Sequence, residues 1–148
     1  MDEHEQKAIE NIEKFGCHIL HVMEEDEYPS FCYSIGIEHT TKHPDLIVIG
    51  LNQEIAHWVI NEYCNRAKKG EEFHPNQFYE DFLEGYKVTF IEVDKKHYKE
   101  YLGWGRWYNK GDGFKMLQMV YPTTSNIWPW DKNAPENFSQ FQPLLNAS

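Results

Sequence analysis

Basic residues are scarce in this sequence, which has 14 Lys and Arg against 24 Asp and Glu in 148 residues and carries a formal net charge of −10. Proteins that bind nucleic acid gain affinity by placing clustered Lys and Arg against the phosphate backbone. We therefore do not expect nucleic acid as a partner. The negative charge instead favours association with a basic protein.

Cysteines and long apolar runs are also few. Cys17, Cys32 and Cys64 are odd in number and form no closely spaced pair, which argues against a disulfide framework and predicts reduced core residues. No apolar run is long enough to cross a bilayer, and the acidic N-terminus lacks the basic start of a signal peptide. These absences predict a cytoplasmic protein with no membrane partner.

The sequence is rich in aromatic residues, at 16%, and its length predicts a single domain over residues 1–148. Apolar spacing predicts an N-terminal helix over residues 5–15 that ends at Gly16, and a main helix that begins after an N-cap at Asn52. The sheet-facing side of the main helix is assigned to Ile55, Trp58, Val59 and Tyr63, and is widened by Ala56, Ile60 and Cys64.

The remaining elements are predicted to be strands and one short helix. Strands are predicted in CHILHVM, FCYSIGI, LIVIGL, YKVTFIEVD and FKMLQMVY. A short third helix follows Asp94, residues 71–85 are interpreted as a loop with a helical turn, and residues 122–148 as an extended tail packed on the surface. Tight connections require antiparallel neighbours. The prediction is an α+β domain with a mostly antiparallel sheet, and barrel-like closure is left open.

A polar turn between two predicted strands carries His39 and His43. Two histidines four residues apart would share one face of a helix and could bind zinc there, but Pro44 and the flanking strands favour a loop. We therefore expect no metal, and His39 and His43 remain the zinc-ligand candidates. Either imidazole has the near-neutral pKa that suits a general acid or base. His39, Thr40 and His43 are also ligand-binding candidates, and the alternative is a structural loop with a capping threonine.

A second cluster, GWGRWYNKGDG, carries Trp104, Arg106, Trp107 and Tyr108. In a loop, these side chains would form a stacking wall for a flat ligand, or the rings would cover the end of the sheet. The glycine spacing is not that of a phosphate-binding loop. Further ligand-binding candidates are Tyr33 and Ser34, on a strand with one small face, and Gln118, a polar amide among apolar neighbours.

Several motifs in order carry a family resemblance. The stretches FCYSIGIEHTTKHPDLIVIGL, FLEGYKVTFIEVD, YKEYLGWGRWY, LQMVYP and WPWD resemble the bacterial family of unknown function numbered 4262, over almost the whole chain. The resemblance implies a small single-domain bacterial protein and no established activity. A looser similarity in element order, around HPDLIVIGL, is to the opening of flavin-binding split-barrel proteins.

Three functions are compatible with these patterns. The first is a domain that binds a small molecule or peptide in a pocket between the His39 and His43 loop and the aromatic loop. The second is an enzyme that uses His39 or His43 as acid or base, with zinc or flavin as the alternative cofactors. The third is an acidic interaction protein of the immunity type, with a basic protein as partner. The sequence does not determine the oligomeric state.

Overall fold

The computed structural model describes residues 1–147, which form six helices and one six-stranded sheet. The helices are α1 (Glu3–Phe15), α2 (Ile37–Thr41), α3 (Gln53–Lys68), α4 (Tyr98–Tyr101), α5 (Gly103–Asn109) and α6 (Phe138–Phe141), with a 3₁₀ turn at Lys95–His97 before α4. The strands are β1 (His18–Val22), β2 (Phe31–Ile35), β3 (Asp45–Ile49), β4 (Phe78–Leu83), β5 (Tyr86–Glu92) and β6 (Met116–Val120).

The sheet has the strand order β1-β2-β3-β6-β5-β4. Neighbouring strands are antiparallel except for β3 and β6, which are parallel and joined by a long connection. The predicted α+β class and mostly antiparallel pairing are therefore confirmed. The sheet is open, with β1 and β4 at its edges, so barrel-like closure is wrong and the similarity in element order to split-barrel proteins does not extend to the fold.

Helices cover both faces of the sheet. One face packs on α3, through a cluster that includes Val48, Val59, Tyr63 and Phe90. The other packs on α1, α4 and α5, through a cluster that includes Ile12, Ile47, Tyr98 and Leu102. Cys17, Cys32 and Cys64 are free and buried, as the sequence predicts.

Local signals at the helix ends are confirmed. Gly16 ends α1 in the left-handed conformation, with φ of 95°. The Asn52 side chain accepts the N–H of Ile55 at 2.9 Å, and the Asp94 side chain accepts the N–H of Lys96 at 2.9 Å. Each cap lies within a few residues of its helix.

Three elements differ from the prediction. The turn that carries His39 is the short helix α2, the aromatic stretch predicted as a loop is helix α5, and the segment interpreted as a loop is edge strand β4. In β4 the large apolar residues come in adjacent pairs, and Asp81 adopts φ of 71° at a register shift, so the strand alternation is broken. The assignment of Ile55 and Trp58 to the sheet-facing side of α3 is also wrong, because they are 41% and 53% exposed.

The C-terminal segment is made of turns and the short helix α6. It is fastened to the domain by three buried side chains, Phe138, Gln142 and Leu145. Within residues 1–147, no helix has the length and apolar character needed to cross a bilayer.

Candidate functional site

Several residues that the sequence marks as ligand-binding candidates bond to the protein itself. Buried Ser34 donates to Asp45 Oδ1 at 2.7 Å, and Tyr33 Oη accepts the backbone N–H of Trp104 at 3.0 Å. Burial raises the pKa of Tyr33 to about 12. The Arg106 guanidinium donates to Asp112 at 2.7 Å. These polar groups therefore have intramolecular partners.

Gln118 also has intramolecular partners for both ends of its amide. Its Nε2 donates to the carbonyl of Pro143 at 2.8 Å, and its Oε1 accepts the N–H of Leu145 at 2.9 Å. The amide therefore anchors the C-terminal segment to β6. It lies away from the His39 helix and does not line the same cavity.

One cavity brings together His39, Thr40 and Tyr108, with a volume of about 700 Å³. The rings of His39 and Tyr108 meet edge to face, with centroids 6.3 Å apart. Two polar side chains of this cavity bind backbone carbonyls at the end of α1. Thr40 Oγ1 donates to the carbonyl of Gly16 at 2.8 Å, and Lys68 Nζ donates to the carbonyl of Phe15. These contacts satisfy carbonyls at the C-terminal end of a helix, where cations are also favoured.

The other predicted site residues lie outside this cavity. His43 is partly buried, and its backbone N–H donates to Thr41 Oγ1 at 3.1 Å. Trp104 and Trp107 meet edge to face at 5.3 Å and pack against the core cluster beneath α5. Among residues 1–147, no three His, Cys, Asp or Glu side chains are grouped as metal ligands. Ligand binding by these residues, and acid or base chemistry at His39 or His43, stay predictions.

A larger concave surface than this cavity lies elsewhere, and we name it the acidic groove. It has a volume of about 1210 Å³ and lies between α3, the β4–β5 hairpin and the segment around Trp128. Its aromatic side is formed by Trp58 and Phe78, which are 53% and 56% exposed, and by Trp128. Phe78 and Trp128 meet edge to face with centroids 5.4 Å apart. Large rings therefore remain accessible along one wall.

The WPWD motif builds one end of this aromatic surface. It forms a tight turn, in which the N–H of Asp131 donates to the carbonyl of Trp128 at 3.0 Å. Asp131 Oδ2 accepts the N–H of Trp128 at 2.8 Å. The turn stacks the rings of Trp128 and Trp130 nearly parallel, 5.4 Å apart. Since Tyr86 Oη donates to the carbonyl of Thr124 at 3.0 Å, the segment is tied to the hairpin.

The acidic groove is also lined by negatively charged side chains. Glu80, Asp81 and Glu84 line it and are exposed, and Lys87 is the one basic side chain along the groove. Carboxylates beside exposed rings form a surface that favours cations, because both the charge and the ring faces attract them.

The edge strand beside the groove is protected against pairing with another strand. The register shift at Asp81 interrupts the ladder, and Arg66 Nη1 donates to the carbonyl of Glu80 at 3.1 Å. Arg66 also forms two hydrogen bonds to Glu71 and lies over the ring of Phe82, 4.3 Å from its centroid. Bulges and charged side chains are common protections of sheet edges. Side chains, rather than a free strand edge, are thus what the groove offers to a ligand.

The acidic groove is not predicted from the sequence. In the prediction, Trp58 faces the sheet from the main helix, Phe78 lies in a loop, and Trp128 lies in an extended tail. A usable signal is present in α3, where Ala56, Val59, Ile60 and Tyr63 already complete a buried stripe. Ile55 and Trp58 lie beside that stripe, so they are not needed to cover the sheet and can be exposed.

One comparison with known proteins gives a match. The model of a family described as a domain of unknown function, DUF4262, matches residues 11–135. No curated protein and no solved structure matches the chain. The matched residues include the whole acidic groove and end before α6.

Proposed function

Because the chain belongs to the DUF4262 family, whose description gives no activity, we propose from its geometry that it is an interaction domain that binds a basic, extended segment of a partner protein in the acidic groove. The observation that carries the proposal is the meeting of exposed rings and carboxylates along one large groove. The proposal takes peptide binding from the first of the three functions compatible with the sequence and the basic partner from the third, and it concerns a different surface.

The size of the groove supports a peptide rather than a small metabolite. Its volume of about 1210 Å³ is larger than that of most small-molecule pockets, which are roughly 300–1,000 Å³. A groove of this volume has room for several residues of a peptide. An extended segment would place alternate side chains along the two walls.

The chemistry of the walls supports a basic and partly apolar segment. Lys or Arg side chains of the partner would lie near Glu80 and Glu84, while apolar side chains would cover Trp58 and Trp128. An Arg side chain can also stack on an exposed indole. The net charge of −10 would attract the same partner over a longer range and raise the association rate.

The test uses fluorescence anisotropy with a labelled synthetic peptide of alternating arginine and leucine, and a matched peptide of alternating glutamine and leucine. We expect the Arg-Leu peptide to bind and the Gln-Leu peptide to bind much more weakly. Trp128→Ala should weaken binding by about 2 kcal/mol, because exposed aromatic anchors dominate such interfaces. The Glu80→Gln/Glu84→Gln variant should weaken binding and reduce its dependence on salt.

A second double variant supplies the matched control. Glu24→Gln/Glu25→Gln removes the same charge from the exposed segment between β1 and β2, whose residues do not line the groove. It should leave the affinity for the Arg-Leu peptide nearly unchanged. Equal losses in the two double variants would mean that only net charge attracts the peptide, and the proposed groove would be wrong.

A further inference from the structure

Three hydrogen-bonded side chains join edge strand β1 to helix α3. Cys32 Sγ lies 2.9 Å from Nδ1 of His21, and Nε2 of His21 lies 3.1 Å from Nδ1 of His57. The two rings are within 12° of parallel, with centroids 5.2 Å apart. The centroid distance exceeds the nitrogen–nitrogen distance by nearly two ring radii, so the nitrogens face each other head-on. This is the geometry of an N–H···N hydrogen bond rather than of two ligands converging on a metal.

The Cys32 thiol determines which group donates in each of these two hydrogen bonds. Burial raises the pKa of the Cys32 thiol to about 11, so the thiol keeps its proton at neutral pH and donates to Nδ1 of His21. His21 then carries its proton on Nε2 and donates to Nδ1 of His57. All three groups are neutral in this arrangement, and each internal donor has an acceptor.

Acid disrupts this arrangement in two steps. One added proton can be accepted if the hydrogen bond between the imidazoles reverses its direction, so that His57 donates to His21. A second proton places an N–H group on each facing nitrogen, which removes the hydrogen bond and sets two positive charges side by side. Burial, followed by the charge of His57, lowers the pKa of His21, so the second proton is added against both effects.

The other titratable groups near the His21–His57 pair lie on three elements. Cys32 faces it from β2, and Glu54 lines the same cleft one turn earlier on α3. His18 lies near it on β1, and burial, His21 and then Lys7 of α1 lower its pKa. Glu54 is exposed and its carboxylate favours protonation of the pair, whereas His18 opposes it when charged.

The position of the pair connects it to the acidic groove. Trp58 follows His57 in α3 and lines both the groove and the cleft that contains His21 and His57. We propose that the His21–His57 hydrogen bond is an acid-sensitive latch, which holds the N-terminal half of α3, and with it Trp58, in the position that binds a basic segment. This inference rests on the proposed function of the groove.

The experiment measures binding of the Arg-Leu peptide, with both termini blocked so that no group titrates near neutral pH, to the wild type and to His57→Asn, in the presence of EDTA. An asparagine amide reaches the position of Nδ1 and accepts the same hydrogen bond without titrating. From about pH 7.5 to about pH 5, we expect the affinity of the wild type to fall roughly fivefold or more and that of His57→Asn to change much less. His4→Asn, at an exposed position on α1, is the control and should behave as the wild type.

Two further measurements keep the latch and the groove distinct. Urea unfolding without peptide should show the wild type losing more stability than His57→Asn over the same pH range. Imidazole NMR should place the His21 proton on Nε2 at about pH 7.5. Binding with the same pH profile in the wild type and His57→Asn would overturn the latch and leave the groove intact. Absence of peptide binding at every pH would overturn the proposed function, while urea unfolding would still show whether acid breaks the pair.

Discussion

The carboxylate of Asp45, the first residue of β3, accepts the backbone N–H of Ile37, the first residue of α2, at 2.9 Å. Its second oxygen accepts the N–H of Glu38 at 3.3 Å, and Ser34 Oγ donates to the first oxygen at 2.7 Å. The N-cap position of α2 is Gly36, which has no side chain to serve as a cap. Asp45, a strand residue eight positions after Ile37, therefore caps this helix.

We expect Asp45→Asn to destabilise the protein by about 1–3 kcal/mol at about pH 8, where Asp45 is ionised, because the new amide N–H₂ would meet the N–H of Glu38 and leave a buried donor unsatisfied. The free energy of unfolding in urea measures this loss. Glu38→Gln is the control, since it leaves the Asp45 contacts unchanged. Equal stability of Asp45→Asn and the wild type would show that the carboxylate does not cap α2.

The same residue predicts a pH dependence. Burial raises the pKa of Asp45 to about 7 from its ordinary value of 3.8, although hydrogen bonds from Ser34 and from the backbone of Ile37 and Glu38 act in the opposite direction. Since the folded state holds the proton more tightly, the Asp45 contribution is largest below about pH 4 and is lost as the pH rises through about 7. The stability of the wild type minus that of Asp45→Asn should therefore fall across this range, by at most about 1.4 kcal/mol per pH unit. Parallel pH curves for the two proteins would contradict this prediction.

Two buried glutamines predict how firmly the C-terminal segment is held. Gln118 of β6 bonds to the backbone at Pro143 and Leu145, and Gln142 of the segment bonds to the backbone N–H and carbonyl of Tyr121 at 3.0 and 2.9 Å. Gln118→Met keeps the side-chain volume but leaves two backbone groups without partners. We expect a loss of about 3 kcal/mol and faster proteolysis of the segment. Gln140→Met, at an exposed position in α6, should change neither quantity.

We expect Arg66 to stabilise the β4 edge. Its guanidinium binds Glu71 through two nitrogens, at 2.8 and 2.6 Å, and lies over the Phe82 ring. Lys cannot reproduce the paired hydrogen bonds or the planar stacking, so Arg66→Lys should cost about 1 kcal/mol. Glu71→Gln removes the ion pair and keeps the stacking, so its cost in urea unfolding should be smaller. A larger cost for Glu71→Gln would assign the stabilisation to the ion pair alone.

What can be predicted from the sequence depends on short-range signals. Helices α1 and α3 are predicted correctly because Gly16 and Asn52 end and begin them locally, and the third helix because Asp94 caps its own turn. The alternation of β2 and the apolar run of β3 give the antiparallel pair correctly. The structure of these elements is determined within a few residues of each.

The two helices that are predicted as loops are capped from a distance. The first N–H groups of α2 bind Asp45, and the N–H of Trp104 near the start of α5 binds Tyr33 Oη at 3.0 Å. In α5, Gly103 and Gly105 also lower the local helix propensity. Such partners become visible only after the sheet has formed. The sequence does suggest a pocket between the stretches of His39 and Tyr108, because both have unusual compositions. It gives no such signal for the convergence of Trp58, Phe78 and Trp128, which come from three separate segments.

Gly50 gives a final prediction, because its left-handed backbone and its surroundings can be tested separately. Gly50 has φ of +89°, and a Cβ atom there would collide with the carbonyl of Phe141 and lie 2.7 Å from Tyr121 Oη, which donates to the carbonyl of Ile49. Gly70 has φ of +95°, and beyond its chain neighbours no atom lies within 4 Å of the position that a Cβ atom would take. Gly70→Ala should therefore cost about 1 kcal/mol, from backbone strain alone.

Gly50→Ala should cost at least about 3 kcal/mol in urea unfolding, because the added methyl group must displace either α6 or the Tyr121 hydroxyl as well as strain the backbone. Proteolysis separates these two responses: cleavage near α6 should rise if the helix moves and stay constant if only Tyr121 rotates. The Tyr121→Phe variant gives the cost of the hydroxyl by itself. If Gly50→Ala and Gly70→Ala lost the same stability, the contact between the end of β3 and the C-terminal segment would be too loose to matter, and Gly50 would be required only for its backbone conformation.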